Sequence, residues 1–599
     1  MQRWFCILSV WLGIYPAWAK AQVSDTFPRA PEAFFQSLGS LLLEARDAGA
    51  AKSFQDFEQS HRSKPLPPEE LALVQQTCGE MRKKGLSAHP YFSSYLDAVT
   101  ALRTLPQPGL FASWHEIGTW MLSAENPGPA TSVFDFFRFS THFFLSSHLK
   151  TGDANTVGWR LKSPIWSLKI QQSEPALLVS KAGLLGENGR DSILIANTAG
   201  IYFPLKNQWR GKGGTVNWER AGLEPEVNAL LGNYSVDTRK NTYSADSASL
   251  SYPKVLGSQR MLGKLSDQLV SLEAEAGLNY PRFESYQSRE IKGIAEGVRF
   301  AGGFKLQGKT MYGIGAEGRK PVLQIFNQRG GLAFQASANE LVVRQGESVF
   351  AQEASIAFYL EKDSIFHSSA NFKFNLANKE LLITRGKYAN DRSAFFSSAH
   401  QVFIDTDQIL TSIDGEKAII GEKALAIVRK APVLFESADF FSHKSYDEQQ
   451  GISSSNPLAL IKRFSDQQKQ STLDADQLAK VFNPDFNAAS IERLLFDLSA
   501  QGFVRYDTES KRIEVQPKLF HYEDAKQQRS DFDMLRLSSK SDQPNATLSL
   551  RSARMDVSNI DFISFSPRQR VSIAPDSNRV FLGKNRDMEF GGTLQAGFS

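Results

Sequence analysis

Val349-Phe-Ala-Gln-Glu-Ala-Ser-Ile-Ala-Phe358, Tyr359-Leu-Glu-Lys-Asp-Ser364 and Ile365-Phe-His-Ser-Ser-Ala-Asn-Phe-Lys-Phe374 run on without a break, and their reading decides the fold class. Apolar residues recur with a period of two, the spacing that sends successive side chains to opposite faces of an extended strand. Tyr243-Ser-Ala-Asp-Ser-Ala-Ser-Leu-Ser-Tyr252 is an earlier variant of the pattern, at irregular spacing. Outward from this stretch the period of two begins after Gly158 and holds to residue 445. It is carried by Trp166-Ser-Leu-Lys-Ile170, Ile201-Tyr-Phe203 and Val342 to Val349, with turns at Asn188-Gly189, Arg329-Gly-Gly331 and Asp414-Gly415. Strand units that repeat without helices need neighbours to bury their apolar faces. Region 151–445 is therefore expected to be solenoid-like stacked strands or an elongated antiparallel sheet, with a compact β-sandwich as competitor.

Before this body the period changes to 3.6. Phe34, Phe35, Leu38, Leu41 and Leu42, and later Trp114, Ile117, Trp120 and Met121, mark a helical domain over 22–150. Pro31, Pro67-Pro68, Pro90 and Pro129 sit where helices would begin, giving about five helices. The fifth carries Phe134, Phe136, Phe137, Phe139, Phe143 and Phe144 around much of its circumference, so it is expected to be central and buried; a ligand groove is the alternative. After the body, the polar stretch 446–455 reads as a linker. Leu458 to Phe464, Ser471 to Phe482 and Ser490 to Gln501 read as helices, with Gly502 as a stop, and Phe503 to Tyr506 with Arg512 to Val515 as a hairpin. Three helices and a hairpin make a small winged-helix-like domain over 456–520. Strand pattern returns in Ala546-Thr-Leu-Ser-Leu550, Val571-Ser-Ile573 and Val580-Phe-Leu582, so 521–599 reads as the start of a second β-rich domain. The fold class expected is α+β multidomain.

Met1-Gln2-Arg3, an apolar run from Trp4 to Trp18 and the small-x-small sites ending at Ala21 predict a signal peptide over 1–21 and an exported chain, in the periplasm or at the outer membrane. Cleavage would remove Arg3 and Lys20, taking the formal charge from +4 to +2. That balance gives no support to a polyanion partner, and the helix Ser490 to Gln501 carries Glu492 and Asp497 against Arg493, which argues against DNA reading. Arg505, Lys511 and Arg512 read as a solvated hairpin. Of two cysteines only Cys78 would remain, so no intramolecular disulfide is expected, and Cys78 reads as a buried structural thiol. No later segment is apolar for about 18 residues, so no membrane span is expected in the mature chain.

Three motif-like strings fail on context. Gly303 to Thr310 satisfies the phosphate-loop spacing, yet Phe304 and Leu306 alternate with Lys305 and Gln307, and no helix follows Lys309-Thr310. Gly313-Ile-Gly315-Ala-Glu-Gly318 matches a dinucleotide fingerprint without its βαβ unit. His115-Glu116 begins a zinc-protease helix, but Thr119 stands where the second histidine belongs. Asp405-Thr-Asp407 and Asp474-Ala-Asp476 lack the glycine and glutamate of a calcium loop. No catalytic residue, cofactor or metal ligand is assigned.

Thr77-Cys78 with Met81-Arg-Lys-Lys84, Pro90-Tyr-Phe92, Trp114-His115, Gly211 to Trp218, Gly302-Gly-Phe304, Tyr359 to Ser364, Leu519-Phe-His-Tyr522, Asn545-Ala-Thr-Leu548 and Lys584-Asn-Arg-Asp587 together carry a resemblance. The chain resembles, over almost its whole length, the amino-terminal part of long, exported, functionally uncharacterised envelope proteins of Gram-negative bacteria. The resemblance implies compartment and architecture and no catalytic residue. The functional expectation is a non-enzymatic envelope scaffold or protein-interaction protein whose partners are envelope proteins. The alternative is a periplasmic lipid or glycolipid carrier with a curved sheet and an open groove lined by residues such as Phe350, Ile356 and Phe358. A polysaccharide-cleaving β-helix enzyme is the third reading.

Overall fold

The computed structural model describes residues 27–596 apart from 124–127, 130, 150–157, 189–190, 271–278, 317, 387–388, 422–431, 451–454, 509, 533, 541–543 and 567–570. The expected signal peptide lies outside the described residues. The chain divides into two units, Met1–Gly214 with Ser235–Tyr243, and Thr215–Tyr234 with Ser244–Ser599. Among the described residues no helix is long and apolar enough to cross a membrane.

Among its described residues the first unit holds six α-helices, Pro31–Glu44, Ala48–Ser63, Pro68–Lys83, Ser93–Leu102, Leu110–Leu122 and Thr131–Ser146, one more than the proline spacing predicts. The extra start is made by Asp47, whose carboxylate accepts from the Ala50 amide at 2.8 Å and caps Ala48–Ser63 without any proline. Pro31 and Pro68 stand in first turns as expected. Thr131–Ser146 buries Phe136, Phe137, Phe139, Phe143 and Phe144. Phe137 meets Trp114 at 5.6 Å between ring centres, while Phe143 meets Trp166 at 4.9 Å and Phe139 meets Tyr202 at 5.4 Å. Its aromatic circumference is thus filled by helices on one side and strands on the other. Those strands, Gly158–Gln171, Glu174–Asn188 and Asp191–Phe203, pair antiparallel in chain order.

The second unit is built on two antiparallel ladders joined by shared strands. One ladder runs through Leu332–Ser337, Phe395–Ser397, Val402–Asp405, Val433–Ser437, Arg536–Ser539 and Ile560–Ser566. The other runs through Glu340–Arg344, Glu380–Arg385, Gln408–Ser412, Lys417–Ile420, Ala546–Ser549 and Met555–Ser558. Ser348–Leu360 and Asp363–Asn375 belong to both: the first half of Ser348–Leu360 pairs with Glu340–Arg344, its second half with Leu332–Ser337. The change of partner falls at a bulge, where Glu353 has φ 50° and the register slips between Ala351 and Ala354. Of the forms the sequence leaves open, an antiparallel sheet is the one made. The repeat variants Val349–Phe358 and Ile365–Phe374 lie opposite each other in one hairpin. Phe334 of the first ladder meets Phe372 of the second at 5.1 Å, so the two ladders close on a shared apolar interior.

The strands after residue 535 correct the expectation of a second β-rich domain. Arg536–Ser539 pairs with Val433–Ser437, and Ala546–Ser549 with Lys417–Ile420, so they extend the ladders the chain had left. Residues 438–535 are an insertion between two directly paired strands. The insertion orders as the helix Pro457–Gln468, the strand Thr472–Asp474, the helices Ala475–Phe482 and Ala488–Ala500, the hairpin Val504–Asp507 with Arg512–Val515, and the helix Pro517–Lys526. Thr472–Asp474 pairs with Arg512–Val515 rather than opening a helix; Asp474 caps the next helix by accepting from Gln477 at 2.9 Å. The supposed linker 446–455 begins as the helix His443–Gln450, anchored by buried Tyr446, whose hydroxyl donates to Glu523 at 2.6 Å. Leu458, Ile461, Leu478, Leu495, Leu498, Ile513 and Leu519 give the insertion its own core.

A candidate ligand cavity at the root of the insertion

A cavity of about 390 Å³ opens where the insertion meets the sheet that carries it. Its sheet wall is a row of three phenylalanines on neighbouring strands. Phe366 lies opposite Phe396, and Phe396 opposite Phe403, with the last two rings 5.2 Å apart. Their neighbours Ile365, Phe395, Val402 and Ile404 point into the shared interior and are fully buried, so alternation leaves the three rings on the outer face. The row continues into Glu436, opposite Phe403, and Arg536, opposite Glu436; the Arg536 Nε donates to Glu436 at 2.8 Å.

The opposite wall is made within the insertion by the end of one helix and the start of another. The helix Ala488–Ala500 stops at Gly502, whose φ of +77° is a left-handed conformation that glycine adopts without strain. The chain then forms the hairpin and re-enters a helix at Pro517, in the first-turn position where a missing N–H costs nothing. This brings Ser499, Gln501, Lys518 and His521 to the cavity. Lys518 Nζ donates to the Gln501 carbonyl at 3.0 Å and lies 5.5 Å from the Phe403 ring centre and 5.1 Å from that of Phe503. Burial holds its ammonium below the ordinary lysine range, against the pull of Glu436 and Asp405 and helped by Arg536. Those two acids are bonded elsewhere, Glu436 to Arg536 and Asp405 to Arg385. Ser499 is 1% exposed, and its hydroxyl makes no hydrogen bond; the Nε2 of His521 is likewise buried without one. On the sheet side His367 is committed: Nε2 donates to the Ser393 carbonyl at 2.8 Å, and Nδ1 accepts from the Ser369 amide at 3.0 Å. Asp439 is paired with Arg586 at 2.6 Å. The arrangement can bind, and no base stands in hydrogen-bond contact with the Ser499 hydroxyl.

The residues singled out from sequence lie elsewhere. Ile356 and Phe358 are 1% and 2% exposed, packed into the filled interior, while Phe350 lies on the opposite face under Arg344, whose guanidinium is 5.4 Å from the ring centre. The three do not line one groove, because the bulge at Glu353 inverts the alternation between Phe350 and Ile356. Gln307 pairs with Thr310, making Gly308-Lys309 a two-residue hairpin turn with exposed Lys309. His115 is buried, its Nδ1 donating to the Phe111 carbonyl at 2.8 Å and its Nε2 accepting from the Tyr95 hydroxyl at 2.9 Å. Asp405 and Asp407 both receive Arg385, and Asp476 accepts from the Ala488 amide at 2.8 Å. Cys78 is fully buried, and burial pushes its thiol up. Among the described residues no three His, Cys, Asp or Glu side chains are grouped to hold a metal ion.

Sequence reasoning missed the cavity, although a signal existed. Ile365-Phe366, Phe395-Phe396 and Val402-Phe-Ile404 are apolar on both faces in three strands, which means that something covers the outer face. Comparisons of the chain with protein-family models, curated proteins and solved structures return no match.

Proposed function

We propose that this chain is a non-enzymatic, exported scaffold of the cell envelope that holds out a winged-helix-like module to contact other proteins. The observation that carries this reading is the insertion of residues 438–535 between Val433–Ser437 and Arg536–Ser539, which remain directly paired beneath it. Such a sheet serves as a frame, and the module, with a core of its own, as the part presented. The module follows the winged-helix order, and its third helix Ala488–Ala500 offers Glu492 and Asp497 against Arg493, a poor match for nucleic acid. Phe486, Phe496 and Val481 are 40%, 36% and 38% exposed on it, giving apolar anchors of the kind protein contacts use. The interior filled by Ile356, Phe358, Phe334 and Phe372 favours a scaffold over a lipid carrier, which needs an open groove.

A photo-crosslinking residue placed at Phe486 or Phe496, with Lys309 as control, tests the reading in a Gram-negative host that exports the chain. A discrete protein adduct from both module positions and none from Lys309 is expected. The absence of adducts, or the same adducts from all three positions, would overturn it.

A further inference from the structure

The cavity at the root of the insertion holds an electrostatic imbalance. Lys518 is a half-buried ammonium with one of its three hydrogens accounted for, by the Gln501 carbonyl, and it makes no ion pair. The acids nearest in its field are neutralised by Arg536 and Arg385, and Asp439, the carboxylate on the cavity wall, is held by Arg586. A partly desolvated cation without a counter-ion costs free energy that an incoming anion relieves. Two further polar groups on the same wall are unspent: the Ser499 hydroxyl, in a side chain 1% exposed, and the His521 Nε2. Lys518 and His521 are three apart on one helix and therefore share a face. Opposite them stand Phe366, Phe396 and Phe403, which carry no hydrogen-bonding group. The volume of about 390 Å³ is within the range of small-molecule sites.

We propose that this cavity binds a small amphipathic carboxylate, with the carboxylate on Lys518 and the apolar body on the row Phe366, Phe396 and Phe403. The carboxylate takes the free hydrogens of the ammonium and brings the missing negative charge, and Ser499 donates to its second oxygen. A neutral sugar would leave Lys518 unpaired. A lipid with several chains would exceed the space. The inference goes beyond the scaffold reading and does not depend on it.

Isothermal titration of the full chain with octanoate and with 2-naphthoate, against octanamide and 2-naphthamide, tests the proposal and separates a chain-like from a flat ligand. Saturable one-to-one binding of at least one acid is expected, with its amide weaker by about tenfold or more. Lys518→Met should weaken the acid by about tenfold or more and leave the amide unchanged, and Lys518→Gln gives the same reading should the methionine variant not fold. Lack of saturable binding by both acids would overturn the proposal. So would equal binding of acid and amide, or affinity for the acid that survives both substitutions in folded protein.

Discussion

Two buried residues show how much of this fold rests on single positions. His367 is 1% exposed with both ring nitrogens bonded, and burial first, then the charges of Arg385 and Arg505, lower its pKa to about 4, against the hydrogen bond to the Ser393 carbonyl. In the unfolded chain the ring protonates near 6.5, so its contribution is complete above that value and is lost as pH falls toward 4. The loss amounts to about 3 kcal/mol. Urea unfolding of the wild type should show this decline between pH 6.5 and 4, and His367→Gln should flatten it. Gly313 is the second case. A Cβ there would lie 2.2 Å from the Phe300 ring, so Gly313→Ala should destabilise by about 1–3 kcal/mol, and a second change, Phe300→Leu, should restore part of the loss. The glycine that looks like part of a nucleotide fingerprint is there to admit a phenylalanine.

At the scale of elements, the ladders depend on rings that cross the interior. Phe334→Ala removes the partner of Phe372 and should cost about 3–5 kcal/mol, read as a lower midpoint in thermal unfolding. Element type was legible in the sequence because apolar spacing is a local property: the 3.6 period before residue 146 and the alternation after 158 appear in the structure as helices and strands. What alternation could not convey was a change of phase. The bulge at Glu353 turned Phe350 away from Ile356 and Phe358, and nothing in a two-residue period announces a left-handed residue between them. The cavity was hidden for a related reason. Phe366, Phe396 and Phe403 are separated in the chain and meet only through register, while Ser499, Lys518 and His521 reach them from an insertion that returns to the sheet.

At the scale of the whole molecule, the continuation of the ladders past the insertion is the feature least visible from sequence, since strands on either side of 438–535 read like parts of separate domains. It predicts that residues 438–534 can be replaced by a short Asn-Gly turn joining Ser437 to Leu535, whose backbones are already hydrogen-bonded, with the remaining strands still forming the sheet; circular dichroism of the shortened chain checks this, and loss of the strand signal would argue against it. The same junction has a mechanical consequence. Both connections of the module leave the sheet from the same end of one antiparallel pair, and the hydrogen bonds of that pair lie across the strands. A pull on the module therefore opens the pair like a zip, one rung at a time, instead of shearing all rungs together. The Glu436–Arg536 ion pair sits one rung in, directly behind the Ser437–Leu535 hydrogen bond, and acts as the catch. A load on the module would thus make the chain yield at the neck under modest tension, leaving the folded ladders on either side intact.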